Sequence, residues 1–213
     1  MALPKIELPA YELEIPSSGK TIRVRPFTVK EEKMLLMAVE SGVQSEIITT
    51  VRQVINNCIL DGDIDVDKMP FFDVDYLFTF LRGKSVGETI EVKLTCNNVV
   101  EDGICGNQFV ADMDIGKVEL IKDENISNDI KLGPQAGVKM RYPNYSIMRK
   151  VEELPEIDKK TFIIVSSIEY VYDAKGMHSY KDYTTDELKD FVEGLTEENY
   201  KKLEDYVDSF PAV

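Results

Sequence analysis

Two periods of apolar and polar residues run along this chain, and the points where one replaces the other divide it into elements. Tyr11-Glu12-Leu13-Glu14-Ile15 and Thr21-Ile22-Arg23-Val24-Arg25 alternate with period two around the turn cluster Pro16-Ser17-Ser18-Gly19, which predicts a β-hairpin. Thr28 and Glu31 have the spacing of a capping box, in which each side chain can satisfy the other's free backbone N–H, so a helix is expected to open there and end near Gly42. Ile47, Ile48, Val51, Val54, Ile55, Cys58 and Ile59 then fall on a single helical stripe, stopped by Asp61-Gly62-Asp63. A third helix is expected from Asp73 through Val74, Leu77, Phe78, Phe80 and Leu81 to a glycine cap at Gly83.

From Glu88 the period returns to two. Ile90, Val92 and Leu94 alternate with polar residues and face a second run, Phe109-Val110-Ala111-Asp112-Met113, so a second hairpin carries Cys96 and Cys105 near its tip. Val118–Ile121 and Val138–Tyr142 read as further strands joined by a polar loop, and Tyr145–Leu154 as a short helix stopped by Pro155. The run containing Phe162, Ile163, Ile164, Val165, Ile168 and Val171 is β-branched enough for a strand, but its length favours a buried helix capped by Asp158. Thr184-Thr185-Asp186-Glu187 and Leu195-Thr196-Glu197-Glu198 open two last helices, reaching about Gly194 and Ser209. The pattern is α+β, a small antiparallel sheet region with hairpins between an N-terminal helical part and a C-terminal group of helices. Residues 1–183 are expected to form the body and residues 184–213 a pair of acidic amphipathic helices.

Charge narrows the function. The 213 residues carry 25 Lys and Arg against 39 Asp and Glu, a net charge of −14. Nucleic acid, whose phosphates need clustered cations, is excluded as a partner, and so is an anionic membrane surface. No apolar run approaches the roughly 18 residues of a membrane-spanning helix, and Met1–Glu7 does not read as a secretory signal. Three cysteines suit free thiols in a reducing cytoplasm, where the Asn-x-Ser matches at Asn125 and Asn144 carry no glycan.

Candidate chemistry is sparse. The acidic stretch Asp61, Asp63, Asp65, Asp67 lacks the Gly and Glu that a calcium loop needs at its sixth and twelfth positions, whether it begins at Asp61 or at Asp63. Gly83-Lys84-Ser85 has Phe78 where a phosphate-binding loop has its first Gly, and it runs from helix to strand. Cys96 and Cys105 could supply half of a zinc knuckle, but Glu101 and Asp102 between them are poor complements to a thiolate pair. Two free thiols, a weak or shared metal site and a disulfide formed outside the cell all remain open. The single His178 sits in a polar turn with no nucleophile elbow nearby in sequence. No catalytic residue, cofactor or small-molecule substrate is expected.

The C-terminus carries more. Ten Asp/Glu and three Lys between Asp182 and Asp208 hold −7 of the net charge. The apolar residues among them are ordered on two helices, which either pack on the body or present a docking surface to a basic partner. Phe191, Tyr200, Tyr206 and Phe210 are the candidate partner-binding residues.

Several stretches together resemble the baseplate hub protein family of T4-like tailed phages. They are Ile22 through Glu32, the helix Val51–Leu60 with its acidic turn, Tyr76 through Arg82, Ser85-Val86-Gly87 to Cys96, and Leu195 through Pro211. Their order, over nearly the whole chain, carries the likeness. The wide Cys96-x8-Cys105 spacing and the lack of a second cysteine pair after Pro211 depart from the family and put a metal role in doubt. The resemblance implies a late viral protein of the baseplate hub of a contractile tail, with other hub and tail proteins as partners, in the host cytoplasm and then in the virion. A permanent hub subunit and a transient assembly chaperone are the two functions that fit this resemblance, and a small metal-dependent hydrolase stands against them as the alternative from a different class.

Overall fold

The computed structural model describes residues 6–61, 64–100, 103–121 and 127–212. Gly62 and Asp63 of the acidic turn, Glu101 and Asp102 of the second hairpin, Asn125 and residues 1–5 lie outside the described residues. The chain opens with the hairpin β1 (Tyr11–Ile15) and β2 (Lys20–Val24), followed by α1 (Val29–Ser41), α2 (Gln44–Cys58) and α3 (Phe71–Val86). A ribbon follows, made of β3 (Thr89–Thr95), the short β4 (Val99–Val100) and β5 (Gly103–Ile104), and β6 (Gln108–Asp114). The remainder is β7 (Asp129–Lys131), β8 (Gly137–Met140), α4 (Met148–Glu153), α5 (Glu156–Ser167), β9 (Ile168–Asp173), β10 (Gly176–Ser179), α6 (Thr185–Glu193) and α7 (Glu197–Asp208).

Local chemistry sets the element ends. Thr28 Oγ1 accepts from the Glu31 N–H while the Glu31 carboxylate accepts from the Thr28 N–H, which starts α1, and Thr184 with Glu187 repeats the device at α6. Gly42 ends α1 at φ 67°, a left-handed turn that a side chain would oppose.

Two hydrophobic cores result. In the first, Leu13, Ile15, Ile22 and Val24 of the hairpin meet Val54, Ile55 and Cys58 of α2 and Val74, Leu77 and Leu81 of α3. In the second, Ile130, Val138, Met140 and Ile168 of the antiparallel sheet β10-β9-β8-β7 are covered by Ile164 and Val165 of α5, Leu188 and Val192 of α6, and Leu203 and Tyr206 of α7. Burying each such aliphatic side chain contributes about 1.5–3 kcal/mol relative to leaving it exposed. An aromatic cluster joins the cores. Phe210 packs on Phe71 of α3 at 5.8 Å and on Tyr142 at 5.5 Å between centroids, and Tyr142 stands edge-on to Phe72 at 4.8 Å.

Several expectations give way to this structure. Gly83 is no helix cap: α3 runs through it to Gly87 at φ 134°, and Gly83 lies where a Cβ would sit 3.5 Å from Glu88 and 3.8 Å from Ile115. The helix also begins earlier than Asp73, directly after Pro70. Val118–Ile121 is not a strand; only Ile121 pairs, exchanging backbone hydrogen bonds with Ala212. The long β-branched run divides. Glu156–Ser167 is helical with Pro155 at its cap, so Asp158 lies in the first turn, and Ile168–Asp173 is the sheet strand β9. The sheet decides this: β9 pairs with both β8 and β10, satisfying its backbone groups on two sides. His178 accordingly lies on a strand, β10, and not in a turn.

Candidate functional site

Residues β3 and β6 form a two-stranded ribbon whose register puts apolar side chains opposite one another. Ile90 faces Met113, Val92 faces Ala111 and Leu94 faces Phe109. Directly opposed residues share a face, so these six make one continuous apolar surface, while Glu91 opposite Asp112 and Lys93 opposite Val110 lie on the other face. None of the six belongs to either core. Leu94 is 41%, Met113 47% and Phe109 49% exposed, and at the ribbon tip Val99 and Ile104 are more exposed still. The ribbon is fastened at its base, where Ile115 is buried against α3 and its N–H donates to the Glu88 carbonyl at 2.7 Å. Both of its long strands are edges. Ribbons of two strands are marginal alone, and one with a bare apolar face gains stability when something covers that face.

The cysteines sit at the far end of this ribbon. The Cys96 N–H donates to the Asn107 carbonyl at 2.8 Å, the Gly106 N–H to the Cys96 carbonyl at 3.0 Å, and the Cys105 N–H to the Asn98 carbonyl at 2.9 Å. Cys96 is half-buried, Cys105 is exposed, and both are free thiols. Among the described residues no group of three His, Cys, Asp or Glu side chains converges as a metal site would require.

Several other charged and nucleophilic groups are engaged within the fold. Arg25 grips Glu31 through two hydrogen bonds of 2.8 and 2.9 Å. That guanidinium, aided by Thr28, holds the Glu31 carboxyl down at about 2 against the opposing effect of burial. Cys58 lies buried beside them, and burial pushes its thiol up to about 11, which leaves it unreactive at neutral pH. Among the described residues the acidic stretch after α2 does not converge. Asp61 accepts from the Arg23 N–H at 2.8 Å, Asp65 pairs with Lys68 at 3.0 Å, and Asp67 accepts from Arg52 at 2.9 and 3.1 Å. His178 bridges Tyr183 Oη at 3.1 Å and Asp173 at 3.5 Å, bracing the β9–β10 turn.

The four aromatic residues of the C-terminal helices face inward to differing degrees. Tyr206 is 5% exposed and sits in the second core, where burial raises its phenol, so it is no exposed anchor. Its place on the inward stripe of α7, with Leu203, is the reason. Phe191 and Phe210 are half-buried against the same core, and Tyr200 Oη shares a 3.0 Å hydrogen bond with Thr161 of α5. Most charges of α6 and α7 are exposed, while Lys189 pairs with Asp158 and Glu204 with Lys160, both partners being on α5.

What the sequence pattern did not single out is the ribbon face itself. Alternation in Ile90–Leu94 and Phe109–Met113 was the available signal, yet alternation is equally compatible with a covered sheet.

The described residues thus combine a fastened ribbon with an exposed apolar face and two acidic outer helices. No curated protein and no solved structure matches the chain. A family model described as T4 bacteriophage base plate protein matches residues 8–213, nearly the full length, and the chain therefore belongs to that family of phage tail baseplate components.

Proposed function

We propose that this protein is a structural or assembly component of the baseplate hub, acting through protein–protein contacts and catalysing no reaction. The observation that carries this reading is the uncovered apolar face of the β3–β6 ribbon, held to the body by Ile115. Exposed apolar surface with polar surroundings marks an interaction site. The occupant is another hub or tail protein with an apolar strip and a basic rim. At the ribbon base Glu88 pairs with Lys84 and Asp114 with Lys117, which leaves Glu91 and Asp112 against Lys93 along the strands, an acidic balance that favours a basic partner. The acidic outer faces of α6 and α7 offer a second basic-partner surface, with Phe191, Tyr200, Tyr206 and Phe210 acting behind it as the residues that fix the helices. Association occurs in the host cytoplasm during assembly, and the complex passes into the virion.

Co-purification of the tagged chain from infected cells tests this. Wild type is expected to capture tail proteins, and a Leu94→Ser, Phe109→Asp variant to lose them while keeping its melting temperature. Capture of no tail protein by wild type would sink the reading. Mass spectrometry of purified virions then separates a retained subunit, present at fixed stoichiometry, from a chaperone that leaves.

A further inference from the structure

One groove reverses the sign of this acidic protein. It encloses about 790 Å³ between the end of β8, α4, α5 and the segment after β10, and Arg141, Lys150 and Lys181 line it without any Asp or Glu. Among the described residues none of these three cations forms an ion pair. Three like charges gathered around one groove repel each other, an arrangement that an anionic ligand relieves.

Arg141 is set in place to receive one. Its guanidinium lies 4.4 Å over the Tyr180 ring, and its Nε donates to the Ile168 carbonyl at 3.4 Å. Those two contacts orient the planar fork and leave Nη1 and Nη2 without a protein partner among the described residues. A stacked, pre-oriented guanidinium binds a carboxylate through two parallel hydrogen bonds at little further entropic cost. Lys181 Nζ stands 5.9 Å from the same ring. Phe162 and Val165 supply apolar surface beside the charges.

We propose that this groove binds a short acidic peptide segment of a protein partner, with Arg141 gripping one carboxylate and Lys150 and Lys181 attracting its neighbours. The segment must be short. In the adjoining recess Asp158 is paired with Lys189 at 3.4 Å while Asp186 adds a further negative charge, and the rest of the chain is more negative still than its net of −14. Beyond a screening length of about 8 Å a long polyanion such as nucleic acid would meet that repulsion, while a few residues stay within the field of the groove. The inference extends the reading of the chain as a protein-binding hub component to a second surface of opposite charge.

The test is fluorescence polarisation of labelled hexaglutamate with the full chain. Saturable binding is expected that weakens as salt rises, together with an affinity loss of about tenfold in Arg141→Ala and a comparable loss in a Lys150→Glu, Lys181→Glu variant of these outer side chains. Circular dichroism confirms that each variant is folded. Absence of saturable binding, equal binding by the folded charge-reversal variant, or tighter binding of single-stranded oligothymidine would each overturn the inference. Because the hub reading is tested by capture through the ribbon, hexaglutamate binding can fail while capture persists, or persist while capture fails.

Discussion

The β3–β6 ribbon and the β7–β10 sheet are built on the same alternation and reach opposite ends. Both are antiparallel, and both put apolar side chains on one face. In the sheet that face is closed by Ile164, Val165, Leu188, Val192 and Leu203 from three helices, whereas in the ribbon Leu94, Phe109 and Met113 remain in solvent. The cause lies in the connections. After β6 the chain turns at Ile115 straight back to α3, while the segments before and after β9 become α5, α6 and α7 and return over the sheet. An apolar face is thus a local property, and its covering depends on where the chain goes next. In this protein the two outcomes differ in consequence: one face holds the fold and the other stays in contact with solvent.

Leu203→Ala attacks the covered face and should have the largest effect, a loss of about 2–5 kcal/mol in unfolding free energy and a lowered melting temperature. An unchanged melting temperature would mean that α7 is not part of the core. Next comes pH. Arg25 depresses the Glu31 carboxyl to about 2 in the folded chain, against about 4.5 unfolded, so its stabilisation is full above the unfolded value and is lost as pH falls through the window between the two. The loss is on the order of 2 kcal/mol. Glu31→Gln should flatten that part of the stability profile, and a profile identical to wild type would refute the assignment.

Gly137→Ala probes the sheet backbone. A Cβ there would stand 2.3 Å from Tyr172 Oη and 2.7 Å from the Ile130 carbonyl, because the Tyr172 ring leans over its cross-strand partner to reach Asp129. The expected cost is about 1–3 kcal/mol in chemical denaturation. Thr184→Ala removes the α6 cap and should cost about 1 kcal/mol. Smallest of all is Phe109→Ser on the bare ribbon face, expected within about 0.5 kcal/mol of wild type. A large destabilisation there would erase the contrast between the two faces.

Features encoded within a few residues were legible. Thr28 with Glu31 and Thr184 with Glu187 cap their helices as their spacing indicates, because both partners of a capping box lie in one turn. The stripe ending in Val54, Ile55 and Cys58 packs inward as its period requires. Features that depend on distant neighbours were not. Ile168–Val171 looked like the end of a helix until β8 and β10 were beside it, and Gly83 looked like a cap until Ile115 was packed against it. Of the candidate site residues, the hairpin tip was correctly given Cys96 and Cys105, while the aromatic residues of the last helices were visible as a pattern without the core they face.

By itself the sequence determined the first hairpin, the capped helices with their apolar stripes and the overall acidity, since propensity, capping and net charge are sums over local residues. Tertiary structure alone decided which apolar face is covered, that Tyr206 lies inside, and that Arg141, Lys150 and Lys181 meet in one acid-free groove. These are facts about separation in space. Charges act over about a Debye length and packing contacts over about 4 Å, and residues 40 positions apart come within those ranges only when the chain folds.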